Sequence, residues 1–323
     1  MSETAPSPEG DQTHLESLEK KLHLARDHVT AVFRRYKTGF YLYGSGGVGK
    51  SYTVLRQLQG LDAAYKLYNS RMTAKGLFLA LAGAPDAIHV MEDMERLTRD
   101  PDAQGVLRSA LWSQPGHPRL VTWTTAAADR NGPERFEFRG GLILLSNRPL
   151  ADLPELRAMA TRIEVYHLDV TDPEISALMR KLAREGYRHE GRVIGPEECQ
   201  EVTEHLLKEC RATGCPLDLR LQQKAFRTYL QHAADHSVTH WQDLVAASVR
   251  EAHCHFRHDP NTASPEDRKA YRRNVIRQFL AAGVAEVKEQ ERLYIQKTAA
   301  SRADFFRRKR EVESGEFDDN DRP

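Results

Sequence analysis

The run Gly44-Ser45-Gly46-Gly47-Val48-Gly49-Lys50-Ser51, with Tyr52 after it, holds the residue types needed to grip a polyphosphate. Glycines in the spacing G-x-x-x-x-G-K-S let main-chain N–H groups turn inward on an anion. The apolar run Phe40-Tyr41-Leu42-Tyr43 ahead of it predicts a strand. The stretch from Lys50 towards Leu58 predicts a helix whose positive end faces the same point. In that geometry Lys50 reaches the β- and γ-phosphates, and the Ser51 hydroxyl holds Mg²⁺. The expected ligands are therefore ATP and Mg²⁺.

Hydrolysis of ATP asks for three further groups. One carboxylate steers Mg²⁺ through its waters, a second polarises the attacking water, and a polar side chain orients that water or senses the γ-phosphate. In a parallel sheet such groups collect at the carboxyl ends of strands. Glu92-Asp93 closes the apolar run Ala87–Met91, and Asn147 follows the apolar run Gly141–Leu145. Glu92 is the candidate on the metal side with Ser51, Asp93 the candidate base, and Asn147 the orienting group. A register shifted by one residue would instead put Asp93 on the metal side and Met94 where the base belongs.

The elements that must position these groups are legible as strands alternating with helices, which implies an α/β fold with a parallel, doubly wound sheet. Strands are expected at Phe40–Tyr43, Tyr65–Tyr68, Ala87–Met91, Gly141–Leu145 and Ile163–Leu168. Helices are expected from Leu15 to Tyr36, Thr73 to Ala82, through Val106 to Leu111, and from Pro154 to Thr161. Two β-rich pieces, Arg119–Thr125 and Arg135–Phe138, flank the turn-forming Asp129-Arg130-Asn131-Gly132-Pro133. Beyond Val170 strand signals fade and helices are expected at Pro173–Gly186, Pro196–Thr213, Leu219–Ala234 and Trp241–His253. The resulting division is a disordered start at 1–13, an ATPase core at 14–170, a helical lid at 171–258 and a basic helical extension with an acidic tail at 259–323.

In the order and kind of these motifs the chain resembles the AAA+ ATPases. Gly44–Ser51 matches Walker A, Glu92-Asp93 falls at Walker B in reversed order, and Asn147 matches sensor 1. By the resemblance, Arg162, or its neighbour Arg157, matches the arginine that acts on the adjoining subunit's nucleotide. Arg220 in Leu217-Asp218-Leu219-Arg220 matches the sensor 2 arginine of a lid helix. The resemblance implies a P-loop NTPase core, a helical lid, and a homo-oligomeric ring, by family habit a hexamer. The Glu-before-Asp order puts a shorter carboxylate at the base position, which implies slow hydrolysis unless the backbone compensates.

The segment between the carboxylates and Asn147 is similar in layout to the hairpin of viral superfamily-three helicases and phage-type replication ATPases. Arg119, Arg130 and Arg135 are then candidates for DNA phosphates, with Trp123 either stacking on a base or packing internally. The expected function is a nucleic-acid-directed ATPase: a helicase, helicase loader or replication motor. A protein-remodelling ATPase is the alternative, with the C-terminal extension and its basic run Arg302–Arg310 on a protein partner. A small-molecule P-loop kinase ranks third, since it needs neither Asn147 nor Arg220.

Bulk properties narrow the field further. The 323-residue chain carries a formal net charge of +1, which argues against a globally polybasic nucleic-acid binder. No apolar stretch reaches membrane-spanning length and the N-terminus lacks a signal pattern, so a cytoplasmic protein without a membrane partner is expected. Four cysteines do not read as a disulfide framework. His253-Cys254-His255, with His258 and Cys210 or Cys215, offers zinc-ligand types but not paired C-x-x-C spacing, which favours a solvated helix end.

Overall fold

The computed structural model describes residues 8–314 apart from 70, 94–96, 98–99, 115, 125–133, 151–158, 160, 259–271, 274, 278, 281–285 and 299–300. Five strands, β1 (Gly39–Tyr43), β2 (Tyr65–Tyr68), β3 (Ile88–Glu92), β6 (Gly141–Ser146) and β7 (Glu164–His167), form one parallel sheet. Their order is β2-β3-β6-β1-β7. Central strands read as continuous apolar runs because both faces are covered: β6 is buried at every position. Register pairs Tyr43 with Ser146 and Glu92 with Leu145, so β1, β3 and β6 end together.

Helices cover both faces. On one side Tyr41, Met91, Leu142 and Leu144 pack with α3 (Ala74–Gly83) and α4 (Pro101–Leu111) through Leu77, Phe78, Leu81, Val106 and Leu107. Alternation turns Phe40, Leu42 and Ile143 to the other side, all fully buried, where α1 (Pro8–Phe33) and α2 (Lys50–Gly60) lie. Val32 of α1 stands where a side chain at Gly141 would be, so the helix approaches the strand closely.

Helix α1 starts at Pro8, so residues 8–13, expected to be disordered, form its first turns. The reason is charge pairing at long sequence range. Asp11 is 4% exposed and meets Arg180 at 3.0 Å, an interaction that composition cannot foretell.

After Val170 the chain runs through α5 (Asp172–Arg184), β8 (Tyr187–His189), β9 (Arg192–Ile194), α6 (Pro196–Thr213), α7 (Leu219–Ala233) and α8 (Trp241–His258). The β8–β9 hairpin corrects the all-helical expectation: Glu190-Gly191 takes up φ of 49° and 79°, a turn that three-residue strands leave as their main signal. Gln222 of α7 ties the helices together by donating to the Met179 carbonyl and the Thr203 hydroxyl, at 2.8 and 2.9 Å.

The chain divides into two compact units, Met1–Glu204 with Leu217–Leu230, and His205–Pro216 with Gln231–Pro323. Residues 171–258 are thus shared between them. The second unit holds α8, α9 (Val287–Thr298) and α10 (Arg302–Ser314), the last two packed through Tyr294 and Phe305. Asp304 is buried there, accepting from Tyr294 Oη at 2.7 Å and lying 3.3 Å from Arg272.

Candidate active site

The glycine-rich turn leaves the carboxyl end of β1 and delivers Lys50 as the first residue of α2. Gly47 and Gly49 adopt φ of 69° and 91°, the left-handed region that a side chain would strain. No acidic residue occupies the first turn of α2, so its positive end is left for an anion.

Strand order sets what surrounds Lys50. Because β6 lies between β1 and β3, Asn147 is carried between the P-loop and the carboxylates. Lys50 Nζ donates to Asn147 Oδ1 at 2.9 Å and to the Gly44 and Ser45 carbonyls at 2.8 and 2.7 Å. Burial pushes its pKa down to about 8, and nearby Arg220 adds to that, while Asp93, Asp218 and Glu92 pull the other way. An ammonium held in so dry a place is poised for a partner of opposite charge.

Glu92 ends β3, and its Oε1 is buried with no hydrogen-bond partner among the described residues. A buried carboxylate oxygen left unpaired at the mouth of a phosphate loop suits a metal ion or its waters. Ser51 and Glu92 therefore fit the Mg²⁺ assignment. Asp93 is exposed, takes φ of 50°, and its N–H donates to Leu145 O at 3.2 Å, which anchors the turn after β3 beside β6. Tyr52 is 68% exposed at the start of α2, with Arg56 over its ring.

Arg220 reaches this site through α7. The Leu219 N–H donates to the Gly47 carbonyl at 3.2 Å, and a side chain at Gly47 would collide with the Asp218 carboxylate. Asp218 caps the helix by accepting from the Arg220 N–H at 2.6 Å. In the sequence nothing shows that Asp218 sits against the P-loop.

Arg162 is not part of this cluster. It precedes β7, at the amino end of the strands, whereas the P-loop leaves the carboxyl end of β1, so it lies across the sheet from Lys50. Its N–H donates to Met159 O, its carbonyl accepts from Thr38, and its guanidinium lies 5.7 Å from the Trp112 ring centre. Arg157 falls outside the described residues.

The β-rich pieces do pair, as β4 (Leu120–Thr122) and β5 (Arg135–Glu137). Arg119 is a correction. Its guanidinium donates to Ala110 O and Gly140 O at 2.7 and 2.8 Å and lies over Phe138, and burial lowers its pKa to about 10. Both branches of its fork are spent on the free carbonyl at the end of α4 and on the entry to β6, so it binds the protein to itself. Trp123 packs against Phe78. Arg135 is exposed, and Arg130 with the turn lies outside the described residues.

The basic run in α10 is likewise partly internal. Arg308 is buried against Asp304 and Glu311, and Lys309 donates to the buried Gln290. Among the described residues no group of three or more His, Cys, Asp or Glu gathers to hold a metal. Cys199, Cys210 and Cys215 are buried thiols, and the Cys254, His255 and His258 side chains lie outside the described residues. No helix among the described residues is long and apolar enough to cross a membrane.

A parallel sheet in which β1, between β6 and β7, feeds a glycine-rich loop and helix, with Lys50, Asn147 and Glu92 converging there, defines an α/β P-loop NTPase. No protein-family model and no curated protein sequence matches the chain. Among solved structures it is similar to a point variant of RuvB from Thermotoga maritima, at 14% identity and a TM-score of 0.45, covering 89% of this chain and 83% of that one. It is also similar to the Thermotoga maritima RuvB Holliday junction branch migration motor, at 12% identity and 0.45, covering 93% and 87%. At that distance the class of the fold is set by strand order and the P-loop.

Proposed function

We propose that the chain is a Mg²⁺-dependent ATPase of the AAA+ type that hydrolyses ATP at the interfaces of a homo-oligomeric ring and acts on nucleic acid. The observation that carries the ATPase reading is the Lys50 ammonium, buried between two P-loop carbonyls and Asn147, beside a buried Glu92 oxygen without a hydrogen-bond partner among the described residues. Incoming phosphate oxygens replace the carbonyls as acceptors for Lys50. Ser51 and Glu92 hold Mg²⁺, which supplies neutralisation of developing phosphate charge when bound. Asp93 polarises the attacking water, Asn147 orients it, and Arg220 approaches from α7.

Assembly follows from Arg162. A guanidinium across the sheet from its own Lys50 cannot neutralise charge there, but it can serve a neighbouring copy's nucleotide. A hexamer is the expected ring by resemblance to AAA+ proteins.

Nucleic acid is read through the β4–β5 hairpin, where exposed Arg135 and the turn bearing Arg130 remain candidates for phosphate contact. The inward use of Arg119 and Trp123 favours a second reading, in which the hairpin or the C-terminal extension grips a protein. Steady-state ATPase activity with and without single-stranded and duplex DNA, at low and moderate salt, separates them. Stimulation that falls with salt and is weakened by Arg135→Ala supports the nucleic-acid reading. Turnover indifferent to DNA refutes it. Undiminished turnover in Asp93→Asn refutes the assignment of the base.

A further inference from the structure

Trp112 ends α4 in extended backbone with 46% of its surface exposed. No motif points to it. Its indole is the group over which the Arg162 guanidinium lies, at 5.7 Å from the ring centre.

The juxtaposition is built in. Leu111 and Ile163, the chain neighbours of Trp112 and Arg162, both crowd the missing side chain of Gly39: a Cβ there would meet them at 2.5 and 2.9 Å. Gly39 opens β1, so the strand that carries the P-loop also brings the two segments together at its other end. The backbone of Arg162 is fixed on both sides, its N–H on Met159 O at 2.8 Å and its carbonyl under the Thr38 hydroxyl at 3.3 Å. The aromatic contact acts on the long side chain beyond that fixed backbone.

We infer that Trp112 is the positioning residue for Arg162, holding its guanidinium against an exposed indole so that it faces the nucleotide of a second copy of the chain. This rests on the reading of Arg162 as the arginine acting between subunits. An aromatic face suits the task better than a carboxylate would. The attraction is to the electron-rich face of the ring and is less directional than an ion pair, so the guanidinium can still turn its N–H groups toward phosphate oxygens. It also leaves the positive charge intact, whereas an acidic partner would cancel the charge meant for the transition state.

The test compares ATPase activity of full-length wild type, Trp112→Ala, Trp112→Phe, Arg162→Ala and the Trp112→Ala/Arg162→Ala double variant, with oligomer mass followed by light scattering. Trp112→Ala is expected to lower kcat about three- to thirty-fold at nearly unchanged KM. Trp112→Phe should recover most of the loss, and the double variant should be no slower than Arg162→Ala. Trp112→Ala lowering kcat by the same factor with and without Arg162 would overturn the inference, as would an unchanged kcat in Trp112→Ala. Unchanged turnover in Arg162→Ala would refute the underlying reading instead, and the inference would fall with it. Trp112→Phe, which keeps an aromatic face of smaller size, guards against loss of fold as the cause.

Discussion

Methionine in place of Lys50 is expected to make the nucleotide-free protein more stable at pH 7 while removing its ability to bind ATP. Lys50 is 8% exposed, and burial lowers its pKa from 10.5 to about 8, with Arg220 adding to the effect and Asp93, Asp218 and Glu92 opposing it. That drop corresponds to about 3 kcal/mol of penalty for folding with the charge in place. Three lost hydrogen bonds, at about 0.5–1 kcal/mol each, offset half or more of it in the variant, so a gain of about 0–1.5 kcal/mol at pH 7 is expected. The pH dependence fixes the cause. Below pH 8 both folded and unfolded wild type carry the proton and the full penalty applies. Between about 8 and 10.5 the folded form releases the proton while the unfolded form keeps it, so wild type gains stability relative to the variant as pH rises. Urea unfolding of both proteins without nucleotide, at pH 7 and near pH 10, measures this directly. A variant less stable than wild type at pH 7, or a difference that does not change with pH, would refute the reasoning.

Gly47→Ala places a methyl group on backbone at φ of 69° and against the Asp218 carboxylate, so a loss of about 1–3 kcal/mol in thermal unfolding and weaker binding of a fluorescent ATP analogue are expected. Arg119→Met is expected to leave the salt dependence of any DNA stimulation unchanged, read by ATPase activity at low and moderate salt, because its guanidinium is spent on Ala110 O and Gly140 O. Glu174 is nearly buried, which by itself would raise its pKa, but Lys21, the Thr171 N–H and Ser17 outweigh burial and hold the carboxylate at about 2. Its contribution is present above about pH 4.5 and is lost as pH falls through about 2, worth about 3 kcal/mol. Acid unfolding of Glu174→Gln should lack that component.

Much of the core was legible because its signals are local. Three apolar runs and two more mixed segments, at 65–68 and 163–168, gave the five parallel strands within a residue or two, and the spacing Gly44–Lys50 named the loop. The reversed pair Glu92-Asp93 could be placed at a strand end but not given an environment: the buried, unpartnered Oε1 depends on how β3 meets β6. Arg119 was misjudged for the same kind of reason. An arginine beside a hairpin looks the same in sequence whether it faces solvent or closes the Ala110 and Gly140 carbonyls of its own fold. Asp218 and Trp112 gave no signal either, since each acquires its neighbour from across the chain. The β8–β9 hairpin escaped because three-residue strands carry too little alternation to register.

The hydrogen bond from Leu219 to Gly47 joins two main-chain atoms. Substitution at 219 leaves the donor in place unless the new residue is proline, while the acceptor belongs to Gly47, the end that has no room for a side chain. A tie made this way is insensitive to the drift that rewrites side chains. The loop that grips the phosphates and the helix that brings Arg220 can therefore stay joined while nearly every residue around them changes, and sequence comparison would register only the change.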